Sequence, residues 1–280
     1  MAQPAPIQWL RRALRSLLEL VYGLYAVAVF VPLATLALVA VTLVPGLSID
    51  ARRAVAHGVA RLFFIVAGMR LTVRAAHLLP EGPCVVIANH ASYLDGVVLK
   101  AAMPARFSFV IKKEVNKVPL AGLLLRRIGS AFVDRFNRHS GGMDARRLFK
   151  AAGAGQALVF FPEGTILEQP GLGSFRIGAF AIATHAELPI VPVVIRGTRG
   201  ILPCGRLLPR PGRIEVEVLP PVCPLPDADS ALELRDRARA RLLAVLGEPD
   251  LADTDGVSAS RAGRHTRSRR RATAARDETG

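Results

Sequence analysis

The sequence predicts an α/β fold in which helices flank a largely parallel sheet, preceded by an N-terminal membrane-embedded helical anchor. Two observations support this prediction. Between about residues 71 and 222, short apolar runs alternate with stretches of helical character, a pattern typical of strand–helix–strand units. Ahead of them, residues 20–44 contain no charged side chain, and so long an apolar run is typical of a helix that enters a membrane.

The N-terminal anchor is predicted to cover residues 1–74. A helix over residues 20–44 would be about 37 Å long, longer than a hydrocarbon core of roughly 30 Å and too long for a signal peptide. Pro32 interrupts the run, Pro45 and Gly46 close it, and basic residues stand on both sides. We therefore expect a kinked or re-entrant helix and then an amphipathic helix over about residues 50–69, with a single membrane crossing as the alternative.

One folded domain is predicted over residues 75–250, with a first strand just ahead of it. The expected strands are the apolar runs at residues 71–73, 85–88, 107–111, 130–133, 158–161, 190–195 and 214–218. Helices are expected at residues 143–152, 178–185 and 231–246. Asp229 or Ser230 is the expected N-cap of the last of these helices.

The chain is strongly basic, with 37 Lys and Arg against 22 Asp and Glu and a formal net charge of +15. Such a surface attracts anionic lipid headgroups and nucleic acid alike. Residues 251–280 are rich in arginine and poor in apolar residues, so they are predicted to form a disordered basic tail. Because no nucleic-acid-binding fold accompanies this tail, no specific nucleic-acid partner is predicted.

Residues 89–95, with the sequence NHASYLD, carry the strongest chemical signal. Neutral imidazole is the commonest general base near pH 7, and a carboxylate beside it can fix its tautomer. Five residues of straight helix would leave His90 and Asp95 roughly 140° apart, so these side chains can meet only across a bend between a strand and a helix. The alternative is a capping box, in which Ser92 caps a helix and Asp95 bonds back to the cap amide.

Residues 157–165, with the sequence ALVFFPEGT, predict a buried strand that ends in a tight turn. Pro162 stops the strand ladder, and Gly164 allows the backbone to approach a ligand closely. Glu163 therefore lies at the carboxyl end of a strand, where open α/β sheets bind their ligands. A further apolar run at residues 188–198 likewise ends in a charged residue and a glycine, Arg196 and Gly197.

Four blocks in this order resemble the glycerolipid acyltransferase family, whose bacterial members are often called PlsC-type 1-acylglycerol-3-phosphate acyltransferases. The blocks are NHxSxxD at residues 89–95, a glycine-to-arginine block at residues 129–135, FPEGT at residues 161–165 and VPVxI at residues 191–195. The resemblance covers roughly residues 80–222, about half of the chain. The first and third blocks together are the specific part of the match.

The resemblance implies transfer of a fatty acyl group from acyl-CoA or acyl-carrier protein to the free hydroxyl of a lysolipid. The expected acceptor is 1-acylglycerol-3-phosphate, which gives phosphatidic acid. His90 would act as general base and Asp95 would orient it, without an acyl-enzyme or a cofactor. The residues implied in substrate binding are Asn89, Lys113, Arg135, Glu163, Gly164, Thr165 and Arg176. Because both donors are cytoplasmic, the catalytic domain is expected on the cytoplasmic face of the inner membrane.

The chain departs from the family pattern at Ile166, which follows FPEGT where the family commonly has an arginine linked to phosphate binding. Arg176, Lys112 or Lys113 could supply the missing cation, or the acceptor could be another lysophospholipid or a lyso-aminolipid. A non-catalytic, membrane-anchored lipid-binding protein is a further alternative. The three cysteines have spacings that fit neither a zinc site nor a disulfide framework. No metal or organic cofactor is predicted, because the sequence has no clustered set of His, Cys and carboxylate ligands and thioester transfer needs none.

Overall fold

The computed structural model describes residues 5–134, 138–225 and 230–252, without the side chains of residues 5–8 and 138–141. Its strands are β1 Arg70–Arg74, β2 Val85–Ala88, β3 Ser108–Lys112, β4 Ala131–Val133, β5 Leu158–Phe160, β6 Ile190–Arg196 and β7 Arg213–Val218. They form one sheet in the order β1-β7-β6-β2-β5-β3-β4. Each apolar run predicted as a strand is a strand of this sheet.

The helices of the described chain are α1 Ala5–Leu43, α2 Ile49–Val66, α3 Asp95–Ala102, α4 Ala121–Arg127, α5 Arg138–Gly153, α6 Gly178–His185, α7 Thr198–Ile201 and α8 Ala231–Leu246. The predicted helices at residues 178–185 and 231–246 match α6 and α8. Ser230 caps α8, and its side chain and that of Glu233 form a reciprocal capping box. Asp229, the other candidate for this cap, lies outside the described residues.

The sheet is largely parallel, which confirms the predicted fold class. Neighbouring strands run parallel except for β6 and β7, which pair antiparallel. The connection between these two strands contains only the short helix α7. A parallel arrangement would require a longer crossover back to the start of the sheet.

Both faces of the sheet are buried. Along β2, Val86 and Ala88 belong to a core shared with α2 and α3, whereas Val85 and Ile87 belong to a core shared with α6 and α8. Strands buried on both faces consist of continuous apolar residues rather than alternating ones. This explains why the strands could be found in the sequence as apolar runs.

The first two helices form an antiparallel pair that packs on the domain. Helix α1 continues through Pro32, and the hydroxyls of Tyr22 and Tyr25 donate to the carbonyl oxygens of Ala67 and Val66 just after α2. The segment Trp9–Leu43 contains an 18-residue stretch of mean hydropathy 2.5 and is long and apolar enough to cross a membrane. Large apolar side chains on the outer faces of both helices are exposed, among them Trp9, Leu36, Leu43 and Ile65. This pair is the candidate membrane anchor.

The sheet and its C-terminal contacts extend slightly beyond the predicted range of residues 75–250. Strand β1 begins at Arg70 and pairs with β7. At the other end, the amide of Leu251 donates to the carbonyl oxygen of Leu172 at 2.9 Å. The remainder of the predicted basic tail, residues 253–280, lies outside the described residues.

Candidate active site

His90 and Asp95 meet at the carboxyl end of β2. The Nδ1 atom of His90 lies 3.0 Å from Oδ2 of Asp95, whose side chain is fully buried. The two residues come together because the chain bends between the end of β2 and the first turn of α3. A carboxylate at Nδ1 favours the tautomer that carries its proton there, which leaves Nε2 as the basic nitrogen.

The same carboxylate oxygen also organises the bend. Oδ2 of Asp95 accepts the backbone amides of Ala91 at 2.7 Å and Ser92 at 2.8 Å. The hydroxyl of Ser92 accepts the amide of Leu94 and donates to the carbonyl oxygen of Leu202. Asp95 therefore makes the return contact of the predicted capping box to the amide of Ser92 together with its contact to His90. Ser92 is not the cap of α3, because Leu94 precedes the helix and has no side-chain cap.

The imidazole of His90 is held from a second side by Phe161. The two rings stack with centroids 4.2 Å apart and an interplanar angle of 20°. The histidine side chain retains 21% of its exposure and borders a cavity. Packing on one face and a carboxylate at one nitrogen fix the ring while its open side faces the cavity.

Glu163 joins the two main sequence blocks through backbone contacts. Its Oε1 accepts the amide of His90 at 2.7 Å, and its Oε2 accepts the amide of Gly173 at 2.9 Å. Burial raises the pKa of this carboxyl, and the two amide donors oppose that effect. With both oxygens bound to backbone donors, Glu163 positions His90 in this structure instead of reaching into the cavity.

Asn89 has a similar role on the other side of β2. Its side-chain nitrogen donates to the carbonyl oxygen of Ile195 at 2.9 Å, and its side-chain oxygen accepts the amide of the same residue at 2.8 Å. This two-point contact fixes the end of β2 against β6. The resemblance implied substrate binding for Asn89 and Glu163, and the structure places both side chains against the backbone.

A cavity of about 780 Å³ extends from His90 into the molecule. Its walls come from α1, α2, α3, β3 and α4, together with Phe161 and Ile166. Most of these side chains are apolar. The side chains with a polar or ionisable group among the lining residues are His90, Tyr93, Lys100, Lys112, Thr165 and Cys204. Such a cleft suits a long apolar ligand with its polar end at the histidine.

The predicted lysine pair divides between two environments. Lys112 borders the cavity. Lys113, the member of the pair implied in substrate binding, has an exposed side chain whose Nζ lies 3.3 Å from Oδ2 of Asp134. Lys112 also forms an ion pair, with Glu114 at 4.0 Å, so the two lysines differ in that Lys112 lines the cavity and Lys113 does not.

The turn after β5 also reaches the cavity. Gly164 adopts a φ of 75°, which a glycine accommodates without strain, and Thr165 and Ile166 border the cavity with it. Arg176 has an exposed side chain that is not part of the described cavity wall, and its amide donates to the carbonyl oxygen of Pro162. Arg135, the other predicted cation, lies outside the described residues.

Sequence reasoning did not single out Lys100. This residue lies on α3, is only 9% exposed and borders the cavity. Burial, and next the charge of Arg53, lower the pKa of its ammonium to about 8. A lysine within the apolar stretch of α3 is the signal that could have identified it.

Cysteine and metal chemistry have little support in the described part of the chain. Cys84 is buried in the core that β2 shares with α2 and α3. Burial raises the pKa of its thiol to about 11, which disfavours the reactive thiolate. The residues that the structure describes contain no cluster of three or more His, Cys, Asp or Glu side chains that could hold a metal ion.

Comparisons with known proteins point to one family. The family model described as Acyltransferase matches residues 70–196. The chain is 33% identical to 1-acyl-sn-glycerol-3-phosphate acyltransferase alpha of Mus musculus, a match covering 68% of this chain and 67% of that protein. It is 30% identical to the chloroplastic 1-acyl-sn-glycerol-3-phosphate acyltransferase BAT2 of Brassica napus, a match covering 55% of this chain and 46% of that protein. The chain thus spans about half the length of this plant relative.

The fold has a counterpart among solved structures. The crystal structure of the 1-acyl-sn-glycerophosphate (LPA) acyltransferase PlsC from Thermotoga maritima superposes with a TM-score of 0.68. The match covers 84% of this chain and 96% of that one, at 24% sequence identity. At this identity the likeness concerns the fold.

Proposed function

Because the chain belongs to the acyltransferase family, we propose that it transfers a fatty acyl group from an acyl thioester to the free hydroxyl of a lysolipid. The observation that carries this proposal is the His90–Asp95 pair at the mouth of a long apolar cavity. A base beside an apolar cleft is the arrangement needed to activate a hydroxyl against a thioester whose acyl chain is bound in the cleft.

In this mechanism His90 acts as general base. Its Nε2 takes the proton of the acceptor hydroxyl as the oxygen attacks the thioester carbonyl, and Asp95 stabilises the imidazolium that forms. The tetrahedral intermediate then breaks its carbon–sulfur bond, and the thiolate leaves with the proton carried by the histidine. The products are an ester and a free thiol. A positioned base contributes typically about 10²–10⁴-fold to such a step.

The acyl chain occupies the cavity between the first two helices and the sheet. The side chains that line this space from α1 and α2 are apolar, including Phe30, Leu33, Ala37, Val59 and Phe63. Burying methylene groups against such walls contributes about 0.8 kcal/mol for each group. The carbonyl carbon is then held at the histidine end, which is the position that the reaction requires.

The acceptor is 1-acylglycerol-3-phosphate, and phosphatidic acid is the product. The names of the relatives from Mus musculus and Brassica napus support this assignment, and Lys112 places a cation at the edge of the cavity that can bind phosphate. Ile166 supports the second candidate, another lysophospholipid or a lyso-aminolipid, because the position after FPEGT carries no charge. The acyl donor is acyl-CoA or acyl-carrier protein.

The anchor attaches the enzyme to one face of the membrane. Residues of α1 from Glu19 to Val41 contact the domain: Glu19 pairs with Arg206 and Arg210, and Val41 lies in a cluster with Ile128, which follows α4. That stretch is about 33 Å long, as long as a hydrocarbon core is thick. A helix bound to the domain over this length favours a monotopic attachment over a crossing, with the catalytic domain on the cytoplasmic face of the inner membrane.

The test is thiol release from acyl-CoA by the full-length protein in detergent, with lysophosphatidic acid and a panel of other lysolipids as acceptors. Release that requires lysophosphatidic acid and is lost in His90→Ala is the expected result. Release with a different acceptor only would keep the reaction and change the substrate. If neither acyl-CoA nor acyl-carrier protein supports release with any acceptor, the proposed function is wrong and a lipid-binding protein takes its place.

A further inference from the structure

Lys100 places an ammonium group inside an apolar cavity. It follows Gly96 and Val97 on the face of α3 that borders the cavity, and only 9% of the residue is exposed. Its Nζ lies 5.7 Å from the centroid of the Phe109 ring, another lining residue. The amine group therefore lies on the cavity wall and not at the protein surface.

Among the described residues, no carboxylate forms an ion pair with this ammonium. Within the described residues, no carboxylate or carbonyl oxygen accepts a hydrogen bond from Nζ of Lys100. The nearby charge that acts on it is that of Arg53, which is also positive. The guanidinium of Arg53 donates to the carbonyl oxygens of Ile128, Arg106 and Gly129 and lies 3.6 Å from Oδ1 of Asp50. A bound chain that displaces water from the cavity must therefore supply an acceptor to Lys100 or leave its ammonium without one.

The lysine lies deeper in the cavity than the catalytic pair. Helix α3 starts at Asp95 beside His90 and runs away from the carboxyl edge of the sheet, so Lys100 is about 7.5 Å further along its axis. Phe109, over which the ammonium lies, is near the start of β3, the end opposite to the catalytic edge. If the carbonyl carbon of an acyl chain lies at His90, the part of the chain beside Lys100 is therefore an interior carbon and not the carbonyl end.

We propose that Lys100 is a specificity residue that favours acyl chains carrying a hydroxyl group at the depth of its ammonium. This inference rests on the proposed function, since it takes the cavity as the acyl-chain site. A saturated chain at this point would surround the ammonium with methylene groups and leave its donors without acceptors, which is unfavourable. A hydroxyl oxygen accepts one of these hydrogen bonds. The cavity would therefore bind an acyl chain with a hydroxyl group at this position more tightly than a fully apolar chain.

The experiment compares acyl-CoAs of one length, saturated or with a single hydroxyl moved stepwise along the chain. The wild-type protein should prefer one hydroxyl position over the saturated chain by about tenfold in kcat/KM, the size expected for one hydrogen bond to a charged donor. Lys100→Met has a similar shape without the charge, and it should prefer the saturated chain. Lys150→Met, which removes an exposed lysine on α5, is the matched control and should keep the wild-type order of preference among these acyl-CoAs.

A second readout does not depend on turnover. The same acyl-CoAs are titrated into the His90→Ala protein with and without Lys100→Met. With Lys100 present, the Kd should reach its minimum at the hydroxyl position that the wild-type protein prefers, and in the Lys100→Met protein that minimum should be lost. A Kd order unchanged by Lys100→Met, or a preference that does not depend on hydroxyl position, would overturn the inference. So would a simple shift to longer saturated chains in Lys100→Met, which would indicate a length limit. Loss of turnover with every donor would refute the proposed function, while these Kd values would still decide the role of Lys100.

Discussion

Oε1 of Glu163 lies 2.7 Å from the backbone nitrogen of His90, so the turn after β5 directly holds the residue that carries the proposed base. The second oxygen of Glu163 holds Gly173 in the loop beyond that turn. One buried carboxylate thus couples two segments that are far apart in sequence. The position of the imidazole depends on this contact as well as on Asp95.

Glu163→Gln should lower both activity and stability. The carboxamide keeps one acceptor and presents a second donor, so one of the two buried amides loses its partner at a cost of about 1–3 kcal/mol. We expect kcat to fall at least tenfold and the thermal midpoint in detergent to fall with it. Glu168→Gln, an exposed glutamate in the following loop, is the control. An unchanged kcat in Glu163→Gln would show that the contact does not position His90.

Asp95→Asn should impair turnover much more than acceptor binding. The amide can no longer stabilise the imidazolium, and its NH₂ group competes with the amides of Ala91 and Ser92 for the same bend. We expect kcat to fall by about 10²–10⁴-fold while the KM for the lysolipid changes little. Steady-state kinetics beside the exposed control Asp236→Asn checks this. A loss confined to KM would make Asp95 a binding residue.

Alanine substitutions of the adjacent residues Lys112 and Lys113 test which of the two lysines binds the phosphate of the acceptor. Both lysines form exposed ion pairs, Lys112 with Glu114 and Lys113 with Asp134, but only Lys112 is among the described residues that line the cavity. Lys112→Ala should raise the KM for lysophosphatidic acid about tenfold, the loss of one charge-assisted contact. Lys113→Ala should change it less than about twofold, since exposed ion pairs contribute little. The reverse order would return the phosphate contact to Lys113.

Two helical glycines test how α1 is fixed to the domain. A Cβ at Gly23 would lie 2.7 Å from Cβ of Leu208, whereas a Cβ at Gly58 meets no described atom within 4 Å. Gly58→Ala should raise the thermal midpoint, because alanine favours a helix by up to about 1 kcal/mol. Gly23→Ala should lower the midpoint and reduce kcat several-fold, since the displaced loop also binds Ser92 through Leu202. Equal effects of the two substitutions would exclude close packing at Gly23.

Lys100→Met should stabilise the protein in a pH-dependent way. Burial lowers the pKa of Lys100 from 10.5 to about 8 in the folded state, so between these values the unfolded chain binds more protons. The free energy of unfolding of the wild-type protein therefore rises as pH increases from about 8 to 10.5, because the unfavourable buried charge is lost. The gain from Lys100→Met should be about 3 kcal/mol well below pH 8 and become small near pH 10.5. Thermal midpoints of both proteins across this range measure it, and a gain independent of pH would contradict it.

The fold could be predicted because its strands are buried on both faces. Residues 85–88 and 190–195 are continuous apolar runs for that reason. Gly82 and Pro83 before the first run and Gly197 after the second mark turns. The proximity of His90 and Asp95 was also predictable, because their spacing requires a bend. Local patterns contained enough information for both.

The contacts of Asn89 and Glu163 could not be predicted, because their partners are backbone groups. Asn89 binds the amide and carbonyl of Ile195, and Glu163 binds the amides of His90 and Gly173. A backbone amide has no signature in a sequence, so both side chains look available for substrate. The cavity walls on α1 were hidden in another way. An apolar run facing lipid and one facing an acyl chain have the same composition.

Deletion of an N-terminal anchor, here residues 1–48, is a common way to obtain a soluble form of a membrane-bound enzyme. Here that cut would remove Phe30, Leu33 and Ala37 from one wall of the cavity and expose the apolar residues opposite them to water. The shortened protein would have an exposed apolar groove that promotes aggregation, and it would lose affinity for its fatty acyl substrate. Detergent micelles or nanodiscs around the full chain are therefore the appropriate route to purification.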